Sequence, residues 1–515
     1  MTLDQIAAVR KEFTGETEAL DDGFIDLNGM KISDVDFVDD AKTQINIDEL
    51  SKFKDFTDIV VDQLTNSTVV NVDASKVVQG NVGNIQAANG VTEVQVGQAT
   101  LNKGQNGFAT NQSGDLVDMK VIGGAHLGLI GGGKAGKITL DDSSTGRDTT
   151  LLVSGGNTTI AKIDGKTNQK TAVELASGVT TVENGVKVGK LNSQLGADLV
   201  VTKGNLELTA TDTNLESKFL GNVQVLEGEA ITNHDITLLG SDNKFVNLTA
   251  KAGSLGFAGS TTVSGLLKGA SDEWINVGYY DESEPEANLS GQLKAELVNL
   301  NGANLFLDPA YGSKASTAEI GSFTSKATKE GISTVDGNIY VGQNSALLVG
   351  SDLAEGQRYI ARLQEANGSF NKDNVGSVLY VNAQQFLKDT KRIVVDADLN
   401  DGNLSGVNGH LATKYTQTYN YAPNGGASST YTPDLYIGKN SVLALGDDAN
   451  KADGAIKFES ADASIFAEVG GKIVLDGASY IQGSRNVVLF TDGGTKGTAD
   501  GVKVLKNNIL SLIHI

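Results

Sequence analysis

Short stretches of alternating apolar and polar residues recur along the chain from about residue 76. Every second residue is apolar in pairs such as Leu206 and Leu208 or Ile236 and Leu238. This period of two is typical of strands with one inward face, and Gly, Asn, Asp or Ser separates the stretches as in tight turns. Because no long helical pattern interrupts 76–270, alternating strand–helix architectures are disfavoured. The pattern predicts an all-β fold.

A repeated block indicates which all-β fold this is. Residues 339–352 read IYVGQNSALLVGSD, residues 435–448 read LYIGKNSVLALGDD, and a looser relative lies at 464–477. Each block predicts a strand, a Gly-x-Asn-Ser turn and a second strand. Units that bury an apolar face against their neighbours are typical of solenoids, so each block is interpreted as one edge of a coil.

Residues 1–75 differ from the rest of the chain. Apolar residues at steps of three and four predict short helices over 3–13 and 50–64. An alternating segment around Asn28-Gly29 predicts a strand pair between them. We expect a small, acidic, mixed α/β region or cap that precedes a solenoid over 76–509.

Three segments interrupt the alternation, near 271–312, 353–392 and 411–434. The second contains two helix-like stretches, EGQRYIARLQEAN and NAQQFLKDTK. Insertions leave a solenoid on one side and often bind ligands, so we expect loop and helical insertions here. Their aromatic residues are candidate ligand contacts, or they pack the insertions onto the solenoid: Trp274, Tyr279, Tyr280, Tyr415, Tyr419 and Tyr421.

Composition and charge exclude several classes of function. The chain has 62 Gly, 4 Pro and 6% aromatic residues, which fits short strands and many turns better than a thick globular core. Its formal net charge of −22 argues against binding to nucleic acid or to anionic lipid surfaces. Because there is no Cys, disulfides and thiolate chemistry are excluded.

With its strand, Gly-rich turn and strand units, the chain resembles the passenger region of bacterial autotransporter adhesins over about 76–509. The resemblance implies a right-handed parallel β-helix on the surface of a Gram-negative bacterium. It also implies an upstream signal peptide and a C-terminal outer-membrane β-barrel, neither of which we find in this sequence. Residues 510–515 match a translated sequencing-library adapter, so we expect the native sequence to stop near Ile509 and the chain to be a fragment.

Two local motifs resemble ligand-binding sequences, and both are incomplete. Residues 131–137 approach a phosphate-binding loop, but Ile138 replaces the required Ser/Thr and a strand follows where a helix is needed. Asp396, Asp398 and Asn400 place oxygen atoms at alternate positions, as calcium loops do, without the Gly and Glu of an EF-hand. We expect a turn at the first motif and an acidic turn, or a weak surface calcium site, at the second.

The sequence contains none of three common catalytic motifs. There is no GDSG, GxSxG or HExxH motif, and His126, His234 and His410 have no evident partner, so we expect structural or exposed histidines. We therefore expect a non-catalytic adhesive stalk without cofactor, monomeric or self-associating, which contacts glycans or proteins of a host or of sibling cells. Two alternatives remain: a β-helix polysaccharide lyase or hydrolase, including tailspike-like forms, and a two-partner-secreted haemagglutinin-like exoprotein.

Overall fold

The fold was analysed in a computed structural model of the chain. Besides the strands named below, with Gln357, Ala361 and Leu399, the structure describes residues 106–111, 113–122, 124–141, 148–165, 170–212, 214–278, 290–307, 316–324, 334–342, 345–350, 376–382, 391–397, 433–446, 454–459, 462–468, 470–475 and 479–483. Strands make up 67% of the described part and helix 1%. The predicted all-β fold class is confirmed.

The chain divides into two compact units, Met1–His234 and Asp235–Ile515. The first unit has the strands β1 Ile25–Asp26, β2 Phe53–Lys54, β3 Ile59–Val61, β4 Asn71–Val72, β5 Asn81–Val82, β6 Ile85–Ala87, β7 Glu93–Val96, β8 Ala99–Asn102, β9 Ala109–Asn111, β10 Asp118–Ile122, β11 His126–Ile130, β12 Gly133–Asp141, β13 Thr149–Ser154, β14 Asn157–Gly165, β15 Thr171–Leu175, β16 Gly178–Val182, β17 Val186–Val188, β18 Lys190–Ser193, β19 Ala197–Val201, β20 Leu206–Leu208, β21 Glu216–Phe219 and β22 Val223–Thr232.

Parallel sheets form this first unit. Sheet A contains β5, β8, β11, β13, β15, β18 and β21. Sheet B contains β4, β7, β10, β12, β14, β16, β17, β19, β20 and β22. A strand of sheet A, a turn and one or two strands of sheet B make one coil, and Leu151 pairs with Val173, 22 residues later. This winding is that of a parallel β-solenoid.

The core of the first unit consists of rows of apolar side chains that stack from coil to coil. Leu127, Leu151, Val173 and Leu191 form one such row in sheet A, and all four are fully buried. Buried hydroxyls satisfy backbone donors at the corners between the sheets: the N–H of Gly189 donates to Thr171 Oγ1 at 2.8 Å. Each coil therefore buries its apolar residues against its neighbours, as the alternation predicted.

The second unit has the strands β23 Asp235–Leu238, β24 Asn243–Ala250, β25 Leu255–Phe257, β26 Gly259–Lys268, β27 Trp274–Val277, β28 Gly291–Asn299, β29 Asn304–Leu307, β30 Ser316–Phe323, β31 Thr334–Val335, β32 Asn338–Val341, β33 Ser345–Val349, β34 Ser377–Val381, β35 Gln384–Leu387, β36 Ile393–Val395, β37 Gln417–Tyr419, β38 Ser429–Tyr431, β39 Leu435–Ile437, β40 Ser441–Leu445, β41 Ala455–Phe458, β42 Asp462–Ala467, β43 Lys472–Leu475, β44 Tyr480–Gln482, β45 Asn486–Thr491 and β46 Lys503–Leu505.

Parallel sheets also form the second unit. Sheet C contains β23, β25, β27, β29, β32, β36, β39, β42 and β45. Sheet D contains β24, β26, β28, β30, β33, β34, β40, β43 and β46. The shorter sheet E contains β31, β35, β41 and β44. The second unit is therefore also a parallel solenoid.

The repeated blocks occupy equivalent places in two coils, as the sequence predicted. In both blocks the first strand belongs to sheet C and the second to sheet D. Both blocks share one hydrogen bond between the strands, because Ser345 N–H donates to Gly342 O and Ser441 N–H donates to Gly438 O, both at 3.2 Å. The block is the corner between the two sheets.

Two long segments of the second unit each connect two neighbouring strands of one sheet. The first, 351–375, follows β33 and leads to β34, which pairs directly with β33 in sheet D. The second, 398–433, follows β36 and leads to β39, which pairs with β36 in sheet C. The second segment includes the antiparallel pair β37–β38. We call these two segments excursions, because each returns one strand further along its own sheet.

The structure departs from the sequence-based expectations at several places. The helix predicted over 382–391 is wrong at Gln384–Leu387, because these residues form a strand that pairs with β31 and β41. The helix expected over 50–64 is likewise wrong at β2 and β3. Ile25–Asp26 pair in parallel with β2, whereas a hairpin was expected around Asn28-Gly29. In addition, β3 and β4 already stack on later strands, N-terminal to the predicted boundary at residue 76.

Candidate functional site

Trp274 lies in the solenoid itself. It is the first residue of β27, is half-buried, and pairs in register with Asn304. Its ring lies 6.0 Å from Phe306 and 6.1 Å from Tyr340, within the range of favourable aromatic pairs. Much of the expected insertion 271–312 continues the coils as β27, β28 and β29. Trp274 therefore packs on the outer face of sheet C.

This outer face carries a continuous apolar row, which we call the aromatic row. Register pairing places its members side by side on successive strands, with Leu399 packed against them: Phe306, Tyr340, Val394, Tyr436 and Phe466. No member of the row is more than 3% exposed. A solenoid strand normally turns polar residues outward, so this part of sheet C is buried on both faces.

Charged groups border the aromatic row. Burial raises the pKa of the Tyr340 hydroxyl, although the nearby Arg392 guanidinium, which is hydrogen-bonded to it, acts in the opposite direction. The Tyr436 hydroxyl donates to Glu468 Oε1, and the Lys439 N–H donates to Glu468 Oε2 at 2.8 Å. The hydroxyls of Tyr340 and Tyr436, the tyrosines of the two repeated blocks, therefore each contact a charged side chain.

Sheet D has a second apolar outer face. Its buried members are Ala346, Leu348, Val378, Tyr380, Val442 and Ala444, with Val474 packed at their edge. The strands β33, β34 and β40 are buried along their whole length, on inward and outward faces alike. The second unit therefore has apolar outer faces on two sheets, and both lie at the coils from which the excursions leave.

The other candidate contact residues are only partly located. Tyr419 belongs to β37, whose backbone pairs with Ser429 in β38. Tyr279, Tyr280, Tyr415 and Tyr421 lie outside the described residues. Their contact with a ligand stays a prediction.

The calcium candidate is also only partly located. Asp396 is fully buried in the turn after β36, where its carboxylate lies against the α carbon of Gly438. Asp398 and Asn400 lie outside the described residues. Among described side chains, no group of three or more His, Asp or Glu is arranged to hold a metal ion. The calcium site therefore stays a prediction.

Residues 131–137 do not form a phosphate-binding loop, for the reason expected from the sequence. Gly131 and Gly132 have positive φ values and form a turn, and Gly133–Asp141 follow as the strand β12. A phosphate loop presents its ligand to the N-terminus of a helix, whereas this segment continues directly into a sheet. The prediction of a turn is confirmed.

His234 is a buried structural residue in the first unit. Its Nε2 lies 2.8 Å from Ser217 Oγ, and its Nδ1 lies 3.0 Å from the carbonyl oxygen of Ala210. Since that oxygen can only accept, Nδ1 carries a proton, and in the neutral ring Nε2 accepts from the Ser217 hydroxyl. Ser217 Oγ in turn accepts from the N–H of Leu191. Both side chains of this pair are buried, and their hydrogen bond joins neighbouring coils. The spacing of the two residues in the sequence did not reveal this pair.

Charged side chains form small networks on the outer faces of the first unit. Burial alone would raise the pKa of Asp164, but the hydrogen bond from Lys137 and the charges of Lys162, Lys137 and Lys187 hold that pKa below its ordinary value. Burial raises the pKa of Glu174, and Asp148 adds to this, although Asn192 and Lys190 oppose it. Both networks link adjacent strands of one sheet.

Comparison with protein-family models, with curated proteins and with solved structures found no match to this chain. The described part contains no helix long and apolar enough to cross a bilayer. The fold therefore defines the class of protein, a parallel β-solenoid with two excursions.

Proposed function

We propose that this protein is a non-catalytic adhesive stalk, displayed on or secreted from a cell, that contacts glycans or proteins of a host or of sibling cells. The observation that carries the proposal is the return of each excursion to its own sheet. Strands before and after each excursion stay in register, so long segments are added to the solenoid without loss of stacking. A scaffold of this kind favours a protein that holds variable segments at a surface.

The resemblance to autotransporter passengers adds the finer part of the proposal. On that basis the chain is a passenger region attached to the outer membrane of a Gram-negative bacterium through a C-terminal β-barrel. The absence of Cys supports export, because a chain without thiols cannot be cross-linked on its way through the periplasm. The strongly acidic composition supports contact with neutral or basic groups.

The tyrosines of the second excursion are the proposed contact residues. Three of them are replaced together, Tyr415→Ser, Tyr419→Ser and Tyr421→Ser, and binding to a printed glycan array and to immobilised sibling cells is measured. The matched control places serine at three polar positions of the same excursion, Asn403, Asn408 and Asn424. We expect the tyrosine variant to lose at least tenfold in retention and the control to bind as the parent does. Equal retention of all three proteins would refute these contact residues.

A further inference from the structure

Along one row of residues, the outer face of sheet D changes from exposed and charged to buried and apolar. Lys294, Glu319, Leu348 and Tyr380 are neighbours in this row on β28, β30, β33 and β34. The Lys294 side chain is 70% exposed, whereas Leu348 and Tyr380 are 0% and 2% exposed. The row thus passes from a solvated surface to a covered apolar surface at the strand from which the first excursion leaves.

The first excursion begins and ends beside this apolar surface. Gly350 follows β33 and Gly376 precedes β34, and these two strands are direct neighbours. Because these strands are parallel, Gly350 lies at the end of β33 and Gly376 at the start of β34. The segment 351–375 therefore has to run back along about six residues, roughly 20 Å, beside the covered face.

One contact shows the direction that the excursion takes. Gln357 Nε2 donates to Glu319 Oε1 at 2.7 Å, and Glu319 directly precedes Leu348 in the row. Gln357 and Ala361 are both helical and both exposed. Since residues four apart share one side of a helix, this side is turned to solvent. The opposite side of a helix in this register carries apolar residues: Tyr359, Leu363 and Ala366.

We propose that the outer face of sheet D is the docking surface of the chain's own segment 351–375, which lies across Leu348 and Tyr380 as a helix-bearing layer. The occupant of this surface is part of the same chain, so the face is closed to outside ligands. Contacts with a partner then use the solvent side of the segment, on which Ala361 lies. This inference goes beyond the adhesive function and does not rest on it.

Cross-linking tests the proposal in a background that contains no Cys. The variant Glu319→Cys with Gln357→Cys is treated with a short bismaleimide, and the linked peptide is measured by mass spectrometry. The matched control pairs Gln357→Cys with Lys472→Cys, which lies exposed on the same sheet four strands further on, about 19 Å away. We expect at least tenfold more linkage in the first pair. Equal linkage in both pairs, or none in the first, would overturn the proposal.

Trypsin gives a second readout that does not depend on introduced thiols. Cleavage after Arg358 and Arg362, both within the segment, is followed in the parent, in Leu348→Lys and in the control Thr262→Lys. Thr262 lies in the same row of sheet D, next to Lys294. We expect Leu348→Lys to speed cleavage at least tenfold while circular dichroism retains the parent strand signal, and Thr262→Lys to leave the rate unchanged. Rapid cleavage in the parent, or no change in Leu348→Lys, would contradict the docked segment.

Discussion

The carboxylate of Asp396 lies directly over the α carbon of Gly438, so that a β carbon at residue 438 would overlap it. The two residues occupy equivalent turns of neighbouring coils, since Ile437 pairs with Val395 in sheet C. Asp396 is fully buried there. Gly438 is therefore required by the close approach of Asp396 in the neighbouring coil.

Gly438→Ala is expected to destabilise the second unit by about 1–3 kcal/mol, because the added methyl group meets a buried carboxylate. Gly128→Ala is the matched control, since its β carbon would lie 3.2 Å from the Thr100 side chain on an outer face. Neither glycine has a positive φ value. Thermal unfolding followed by circular dichroism compares the two. A loss no larger at 438 than at 128 would contradict the close approach of Asp396.

Adjacent leucines in β13 test the alternation of inward and outward residues. Leu151 is fully buried in the core row of sheet A, whereas Leu152 is 38% exposed. Leu151→Ala is expected to cost about 2–5 kcal/mol, since it removes buried methyl groups and leaves a cavity. Leu152→Ala is expected to cost at most about 0.5 kcal/mol. Urea unfolding of both variants measures this difference, and equal losses would mean that the register of β13 is wrong.

Asp164 is expected to stabilise the first unit only while it is ionised. Because its pKa in the folded chain lies below the ordinary value of 3.8, its stabilising effect is present above that value. The effect is lost as the pH falls through the folded pKa. Asp164→Asn is therefore expected to lower stability at pH 7 by at most about 1 kcal/mol, as is usual for exposed ion pairs. The variant and the parent should unfold alike once the pH lies below the folded pKa of Asp164, and a difference that persists there would exclude an ionic cause.

Glu174 is expected to behave in the opposite way. Its pKa is raised above the ordinary value of 4.5, so the folded chain favours the protonated form and loses stability as the pH rises through the folded pKa. Glu174→Gln keeps an oxygen that accepts from Asn192 and removes the charge. We expect this variant to gain on the order of 0.5 kcal/mol at pH 7 and nothing at pH 4. A loss of stability at pH 7 would show that the charge of Glu174 is favourable.

Much of the coil could be predicted from sequence because alternation is a direct result of strand geometry. Leu206 and Leu208 are buried as predicted, and so are Ile236 and Leu238. The repeated block also predicted a turn between its two strands, and the structure confirms this turn. At Gln384–Leu387 the local pattern was misleading, because pairing with strands on both sides overrides a helical preference.

The apolar outer faces were missed, although a signal was present. Ile339, Tyr340 and Val341 are three apolar residues in succession, a pattern typical of strands buried on both faces. Alternation alone accounts only for Ile339 and Val341, which point inward. The pairing of Tyr340 with Phe306 and Val394 depends on strands far apart in sequence, so spacing could not predict the aromatic row.

The adhesive function is tested most directly by retention of glycans on the intact, immobilised chain, followed by mass spectrometry of what is recovered. A stalk that binds without catalysis is expected to retain a defined subset of glycans and to release each of them with its mass unchanged. A β-helix lyase or hydrolase would instead release shortened or unsaturated products. Such products, or a complete lack of retention for glycans and for sibling-cell proteins alike, would contradict the proposed function.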